Sequence, residues 1–203
     1  PKPTDPTGKP WLGVRVKNAG GDTGIEVVEI YEKSPLGFSG LQKGDIIKEF
    51  AGKTIRNRDD LRDVVEKIEV GEIIKIKYSR EGKDATCFFR ALTEEQAKKL
   101  ADIDPNAKPY LGISAKDVDG DKGVEITKVY EKSPAEKAGI AEGDIVTSFG
   151  EYIIKNRDDL RNALDKYKVG QVVGLGIIRG DKKLVLEFYL MTKEMAEQSS
   201  VPP

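Results

Sequence analysis

The chain has no histidine. That absence removes Ser-His-Asp and Cys-His nucleophilic machinery, and every His-ligated metal site, from the chain itself. No serine stands in a nucleophile-elbow context either, so no residue is assigned a catalytic role and no metal or cofactor is expected. Cys87 is the sole cysteine, which excludes an internal disulfide and leaves the redox compartment open. No apolar run approaches the roughly 18 residues of a membrane-spanning helix, and no signal peptide is recognisable. Charge of one predominant sign is also missing. The formal net charge is −1 although 34% of residues are charged, with Lys and Glu interleaved, which argues against electrostatic attraction to nucleic acid or a membrane surface. The first residue is Pro1 and not Met, which points to a chain processed or cut from something longer.

What the sequence does contain is a statement made twice. Lys9-Pro10-Trp11-Leu12-Gly13-Val14 recurs as Lys108-Pro109-Tyr110-Leu111-Gly112-Ile113. Residues 10–93 align with 109–192 without a gap, and roughly a third of the pairs are identical, the mark of a duplicated unit. The expected organisation is a lead-in over 1–9, one domain over 10–93, a helix and linker over 94–108, a second domain over 109–192, and a tail over 193–203. Each domain is long enough for one modest core.

Within each copy the pattern is mostly strand-like. Leu12 to Val16 alternates apolar with small or charged residues, and after the turn at Gly20-Gly21-Asp22 a second run covers Ile25 to Tyr31. Asp117, Asp119 and Asp121 invite a calcium-loop reading, but the place of the bidentate glutamate holds Lys128, so a solvated turn is expected. Ser34-Pro35 and Ser133-Pro134 start short helices, the first shortened or irregular because Gly37 and Ser39 dilute helix propensity. Apolar runs follow at Ile46–Phe50 and Ile145–Phe149. Asn57 and Asn156 cap the main helix, whose stripe is Leu61, Val64, Val65 and Ile68 in one copy and Leu160, Ala163, Leu164 and Tyr167 in the other. That stripe is either all core or partly the wall of a groove. Gly71 and Gly170 are expected to end the element, and two further strands turn near Gly82 and Asp181. Thr93-Glu94-Glu95-Gln96 is a capping box opening a helix toward Asp102.

The apolar-Gly-apolar loop, the hairpin, Ser-Pro-Ala-Glu-Lys-Ala-Gly-Ile at 133–140, Gly143-Asp144 and the capped helix together resemble a PDZ domain, more narrowly the bacterial HtrA/DegP type. The resemblance implies a mainly β fold with helices: two domains, each a five- to six-stranded partly open barrel or sandwich capped by one short and one longer helix. It implies binding of peptide C-termini, with the carboxylate on the N–H groups of Leu12, Gly13 and Val14 or of Leu111, Gly112 and Ile113. The ligand would add as a strand along Val16 or Ala115, its last side chain lying against Leu61, Val65 and Ile68 or against Leu160, Leu164 and Tyr167. Lys9 and Lys108 either add a positive field or are ordinary surface lysines. Trp11, and Tyr110 in its place, either shape the pocket rim or shield the loop. Many PDZ domains carry a histidine where Leu61 and Leu160 stand, so an apolar rather than hydroxyl side chain is expected two residues before the ligand terminus. The resemblance further implies a serine endopeptidase domain N-terminal to this segment and an extracytoplasmic setting, the bacterial periplasm or cell envelope. A non-enzymatic scaffold, or the PDZ pair of a membrane-embedded protease, are the alternatives.

Overall fold

The structure, a computed structural model, describes residues 8–104 and 106–198. The first seven positions of the expected lead-in, Pro105 in the expected linker, and 199–203 of the tail lie outside the described residues. After Ile103 the chain divides into two compact units.

The first unit contains β1 (Val14–Asn18), β2 (Ile25–Ile30), β3 (Ile46–Phe50), β4 (Lys53–Thr54), α1 (Arg58–Val65), β5 (Ile73–Arg80), β6 (Lys83–Arg90) and α2 (Glu94–Ala101). Its sheet is antiparallel throughout, ordered β1-β2-β3-β5-β6 with β4 on β3. The second unit repeats the plan with β7 (Ile113–Asp117), β8 (Val124–Val129), α3 (Pro134–Lys137), β9 (Ile145–Phe149), β10 (Tyr152–Ile153), α4 (Arg157–Leu164), β11 (Val172–Arg179), β12 (Lys182–Tyr189) and α5 (Lys193–Gln198). Each fold is mainly β with helices, and each sheet has six strands. Neither closes into a barrel: β1 and β6, or β7 and β12, remain free edges.

Period-two alternation places the core in most strands, and a bulge in the β3–β5 pairing brings Ile47 and Phe50, three residues apart, to the same face. Ile25 and Val27 from β2, Ile47 and Phe50 from β3, Ile74 and Ile76 from β5, and Phe89 from β6 are buried on one face. Phe50 and Phe89 pack with ring centroids 5.7 Å apart. The second core repeats this with Val124, Ile126, Val146, Phe149, Leu175, Ile177 and Phe188. Each fully buried side chain of this size contributes about 1.5–3 kcal/mol relative to exposure.

The helices that border the site have local causes. Asn57 sits in extended backbone and its Oδ1 accepts from the N–H groups of Asp59 and Asp60, both at 3.0 Å. Asn156 does the same for Asp159 at 2.9 Å. These helices end earlier than the sequence pattern suggests, at Val65 and Leu164 and not near Gly71 and Gly170. Past the caps, Ile68 N–H bonds Val65 C=O at 3.2 Å and Tyr167 N–H bonds Leu164 C=O at 3.1 Å. These three-residue-back bonds tighten the chain into a turn, so the last stripe residue lies beyond the helix. The Ser-Pro segments differ between units: the first is a three-residue 3₁₀ turn, Leu36–Phe38, whereas the second, with Ala135 and Glu136 in place of Leu36 and Gly37, is α3. Thr93 and Gln96 make the full capping box of α2.

Candidate functional site: a glycine loop at a free sheet edge

The loop is held from inside. Trp11 N–H donates to Leu92 C=O at 2.9 Å, which fixes its start. The Leu12 carbonyl accepts from Leu36 N–H at 3.4 Å and the Gly13 carbonyl from Tyr31 N–H at 3.0 Å. The second unit repeats all three: Tyr110 to Met191 at 2.9 Å, Ala135 to Leu111 at 3.1 Å, and Tyr130 to Gly112 at 2.9 Å. In a planar trans peptide, a carbonyl turned inward sends the next N–H outward. The N–H groups of Gly13 and Val14, and of Gly112 and Ile113, therefore face away from the domain. The N–H groups of Leu12 and Gly13, and of Leu111 and Gly112, have no hydrogen-bond acceptor among the described residues.

Only glycine fits at the centre. Gly13 has φ +64° and Gly112 φ +76°, in the left-handed region. A Cβ at Gly13 would overlap Ser34 Cβ, and one at Gly112 would overlap Ser133 Cβ. Both serines are buried. The Ser34 hydroxyl accepts from Gly37 N–H at 3.0 Å and that of Ser133 from Glu136 N–H at 3.1 Å, so each caps the short turn beneath the loop.

The strand that follows is an edge. Val14 lies opposite Ile30, and the Tyr31-to-Gly13 bond makes that a non-hydrogen-bonded pair. Its own N–H and C=O consequently point to the open side. A bulge after Arg15 keeps this phase, because Ala19 N–H donates to Gly24 C=O and thereby fixes Asn18 opposite Ile25 as a pair of the same kind. Val14, Val16 and Asn18 thus present a row of unpaired donors and acceptors. Ile113, Ala115 and Asp117 do so on β7, with the bulge after Ser114.

Between β1 and α1 runs a groove of about 1040 Å³. Val16, Leu61 and Val65 line it, with Lys9, Asn18, Arg58, Arg62 and Glu66 along its rim. Leu12 and Val14 are half-buried and pack against the core beside it. Ile68 is buried within the same core. Trp11 stacks on Tyr31, ring centroids 6.4 Å apart. In the second unit Leu160 is buried, while Leu111, Ile113, Ala115, Leu164 and Tyr167 are half-buried against the core. The Tyr167 ring meets Phe149 edge-on at 5.4 Å and Tyr152 at 6.1 Å, and its hydroxyl accepts from Glu151 N–H at 3.4 Å. Burial pushes the Tyr167 phenol pKa up, against the lowering effect of that N–H. Lys108 pairs with Asp165 at 3.5 Å.

In each unit a buried carboxylate is held by a partly exposed arginine, and sequence reading missed the pair. Arg80 grips Asp45 through two bonds of 2.8 Å and also donates to Gly40 C=O at 2.9 Å. Arg179 holds Asp144 at 2.7 Å through both nitrogens, and Gly139 C=O at 2.7 Å. The clamp ties the segment after the Ser-Pro turn to the end of β5 or β11. Burial raises the Asp144 carboxyl pKa, but the Arg179 hydrogen bond and the Ala141 N–H outweigh it and leave the group below its usual value. A signal was present: Asp45 and Arg80 recur unchanged as Asp144 and Arg179, yet Gly-Asp reads as a turn and the arginine as a strand end. The groove-rim residues Asn18, Arg58 and Arg62 also went unassigned. Asp117, considered for calcium, is taken up by Arg157, and no metal-binding cluster occurs among the described residues.

Two open antiparallel sheets, each with an outward-facing glycine loop beside a free edge strand and, in the first unit, a helix-walled groove along that edge, define a tandem module that presents strand edges. The chain belongs to the PDZ domain family, which it matches over residues 10–87 and 109–190. It is 30% identical over 166 residues to the periplasmic serine endoprotease DegP of Salmonella typhimurium, covering 80% of this chain and 34% of that protein. It is 27% identical over 168 residues to the periplasmic pH-dependent serine endoprotease DegQ of Escherichia coli, covering 80% of this chain and 36% of that one. Among solved structures, the HtrA3 PDZ domain bound to a phage-derived ligand shares 20% identity with a TM-score of 0.38, covering 41% of this chain and 86% of that one. The chain spans about a third of the length of the curated relatives it matches. It is thus a tandem PDZ segment resembling the corresponding part of HtrA/DegP proteases, and no helix of its described residues is long and apolar enough to cross a membrane.

Proposed function

We propose that each unit, within the limits 10–93 and 109–192, captures the free C-terminus of an extended polypeptide. The ligand adds antiparallel to β1 or β7, and its carboxylate accepts the N–H groups of Leu12, Gly13 and Val14 or of Leu111, Gly112 and Ile113. The observation that carries this reading is the inward anchoring of both loop carbonyls, which turns the following N–H groups outward beside an unpaired strand edge. Hydrogen bonds to a charged acceptor contribute roughly 1.5–3 kcal/mol each, so two or three would dominate a weak peptide affinity. Leu61 and Leu160 favour an apolar side chain two residues before the terminus.

We further infer that the pair is the substrate-recognition or regulatory part of an HtrA-type serine protease, with the protease domain N-terminal to this segment and an extracytoplasmic location. The similarity to DegP and DegQ supports this reading. Under this reading the chain's own residues bind and position the polypeptide. Calorimetry with valine-ending heptapeptides, free and C-terminally amidated, tests the carboxylate reading. Amidation should abolish binding, and equal affinity of the two forms would refute it.

A further inference from the structure

Asn18 and Asp117 hold the same place in the two units, the last residue of the edge strand. Each accepts the backbone N–H of the first helical residue: Arg58 N–H to Asn18 Oδ1 at 2.9 Å, Arg157 N–H to Asp117 Oδ1 at 2.7 Å. The hydrogen bond is conserved between the units but the charge is not. Asp117 also receives the Arg157 guanidinium, Nε to Oδ2 at 3.4 Å. Neutral Asn18 cannot do this, and Arg58 has no ion pair among the described residues. The other lip repeats the contrast. Lys108 has Asp165 at 3.5 Å, whereas Lys9, on the rim of the first groove, has no acidic partner among the described residues. Arg62 and Arg161 do not distinguish the grooves, because Asp59 and Asp158 accompany them at 2.8 Å and 3.7 Å.

We propose that the first groove selects peptides carrying an acidic side chain four residues before the terminus, that the second groove does not, and that Asn18 against Asp117 sets the difference. The inference rests on the strand-addition reading above. A ligand strand turns every second side chain to the helix, so the terminal residue and those two and four before it share the groove face. They advance by about 6.8 Å per pair. Val65, Leu61 and Arg58 descend the helix by four and then three residues, about 6 Å and 4.5 Å, and so meet those three side chains in turn. The third meeting is between a carboxylate and an unneutralised guanidinium. In the second unit the corresponding guanidinium already has Asp117.

The test uses the full chain, ¹⁵N-labelled, so that amides of Leu12–Val16 and Leu111–Ala115 report each groove separately. The probe is a heptapeptide ending in valine, with leucine two places before it and glutamate or glutamine four places before it, each made with a free and an amidated terminus. At low salt the free glutamate peptide should bind the first groove about two- to fivefold more tightly than the glutamine peptide, as expected for an exposed ion pair. Added salt should erase the difference. Asn18→Asp should remove the preference, and Asp117→Asn should create one in the second groove; both keep the acceptor for the helix N–H. Equal affinities for the two free peptides at the first groove would overturn the charge inference alone, leaving terminus recognition intact. A glutamate preference insensitive to amidation would refute terminus recognition and retain the charge assignment. Absence of any shift at either loop would overturn both.

Discussion

Gly150 and Tyr167 form a coupled pair whose strength follows from the geometry. Gly150 turns between β9 and β10 at φ +58°, and its Cβ position is taken by the Tyr167 hydroxyl. The first unit has Ala51 at the matching turn, at φ +50°, with Ile68 where Tyr167 stands. Both turns are fixed alike, Ala51 N–H to Lys75 C=O at 3.0 Å and Gly150 N–H to Gly174 C=O at 2.8 Å. Gly150→Ala should therefore cost two things. Alanine in the left-handed region costs about 1 kcal/mol relative to glycine, and the collision with a ring held by Phe149 and Tyr152 adds about 1–3 kcal/mol. In a Tyr167→Ile background only the first cost should remain. The expected coupling is thus about 1–3 kcal/mol, well outside the roughly 0.3–0.5 kcal/mol within which independent sites add. Urea unfolding of the full chain, read from amide resonances of β11 and β12, isolates the second unit, while Trp11 fluorescence serves as a control on the first. If Gly150→Ala costs the same in both backgrounds, the Tyr167 ring does not rest on this turn.

Gly112→Ala should destabilise its loop by about 2–4 kcal/mol, from the positive φ and the overlap with Ser133, and abolish peptide-induced shifts at Leu111–Ala115 while leaving those at Leu12–Val16; retained binding at both loops would contradict it. Burial pushes the Cys87 thiol up to about 12, so native protein at pH 8 should resist iodoacetamide while unfolded chain reacts quickly. Because the unfolded thiol ionises near pH 8.5 and the folded one does not, the stability of the first unit should decline as pH rises above about 8.5. Asp144→Asn should destabilise the second unit by about 2–3 kcal/mol, less than a fully buried pair because Arg179 is partly exposed. The depressed Asp144 carboxyl contributes stability above its unfolded value of about 3.9. That contribution should fade as pH falls through the folded value, and a pH-independent difference between Asp144→Asn and the parent chain would count against the pair.

The duplication made much of this architecture readable. Alternation at Ile25–Ile30 and Ile46–Phe50, the Asn57 and Asn156 caps, and the Thr93 capping box are local signals, and local signals survive in sequence. The weaker Ser-Pro turn of the first unit was also legible, since Gly37 replaces Glu136. What could not be read depends on partners far along the chain. Asp45 and Arg80 are 35 residues apart, and nothing in either neighbourhood names the other. The helix stops at Val65 because the chain tightens into a turn, although the apolar spacing continues through Ile68. The contrast of Asn18 with Asp117 was visible as two letters, but its meaning needed the geometry that sets them beside Arg58 and Arg157.

A sheet margin left open to receive a chain will pair with unintended strands as readily as with its ligand. On β1 the outward face carries Arg15 and Lys17, paired with Glu29 and Glu26, so charge brackets the unpaired row. On β7 the place of Arg15 belongs to Ser114, whose hydroxyl lies 3.0 Å from the Tyr130 hydroxyl, and Lys116 with Glu125 is the only such bracket among the described residues. The second edge is the less guarded of the two. Self-association at high concentration should begin there, and a peptide added along β7 should suppress it.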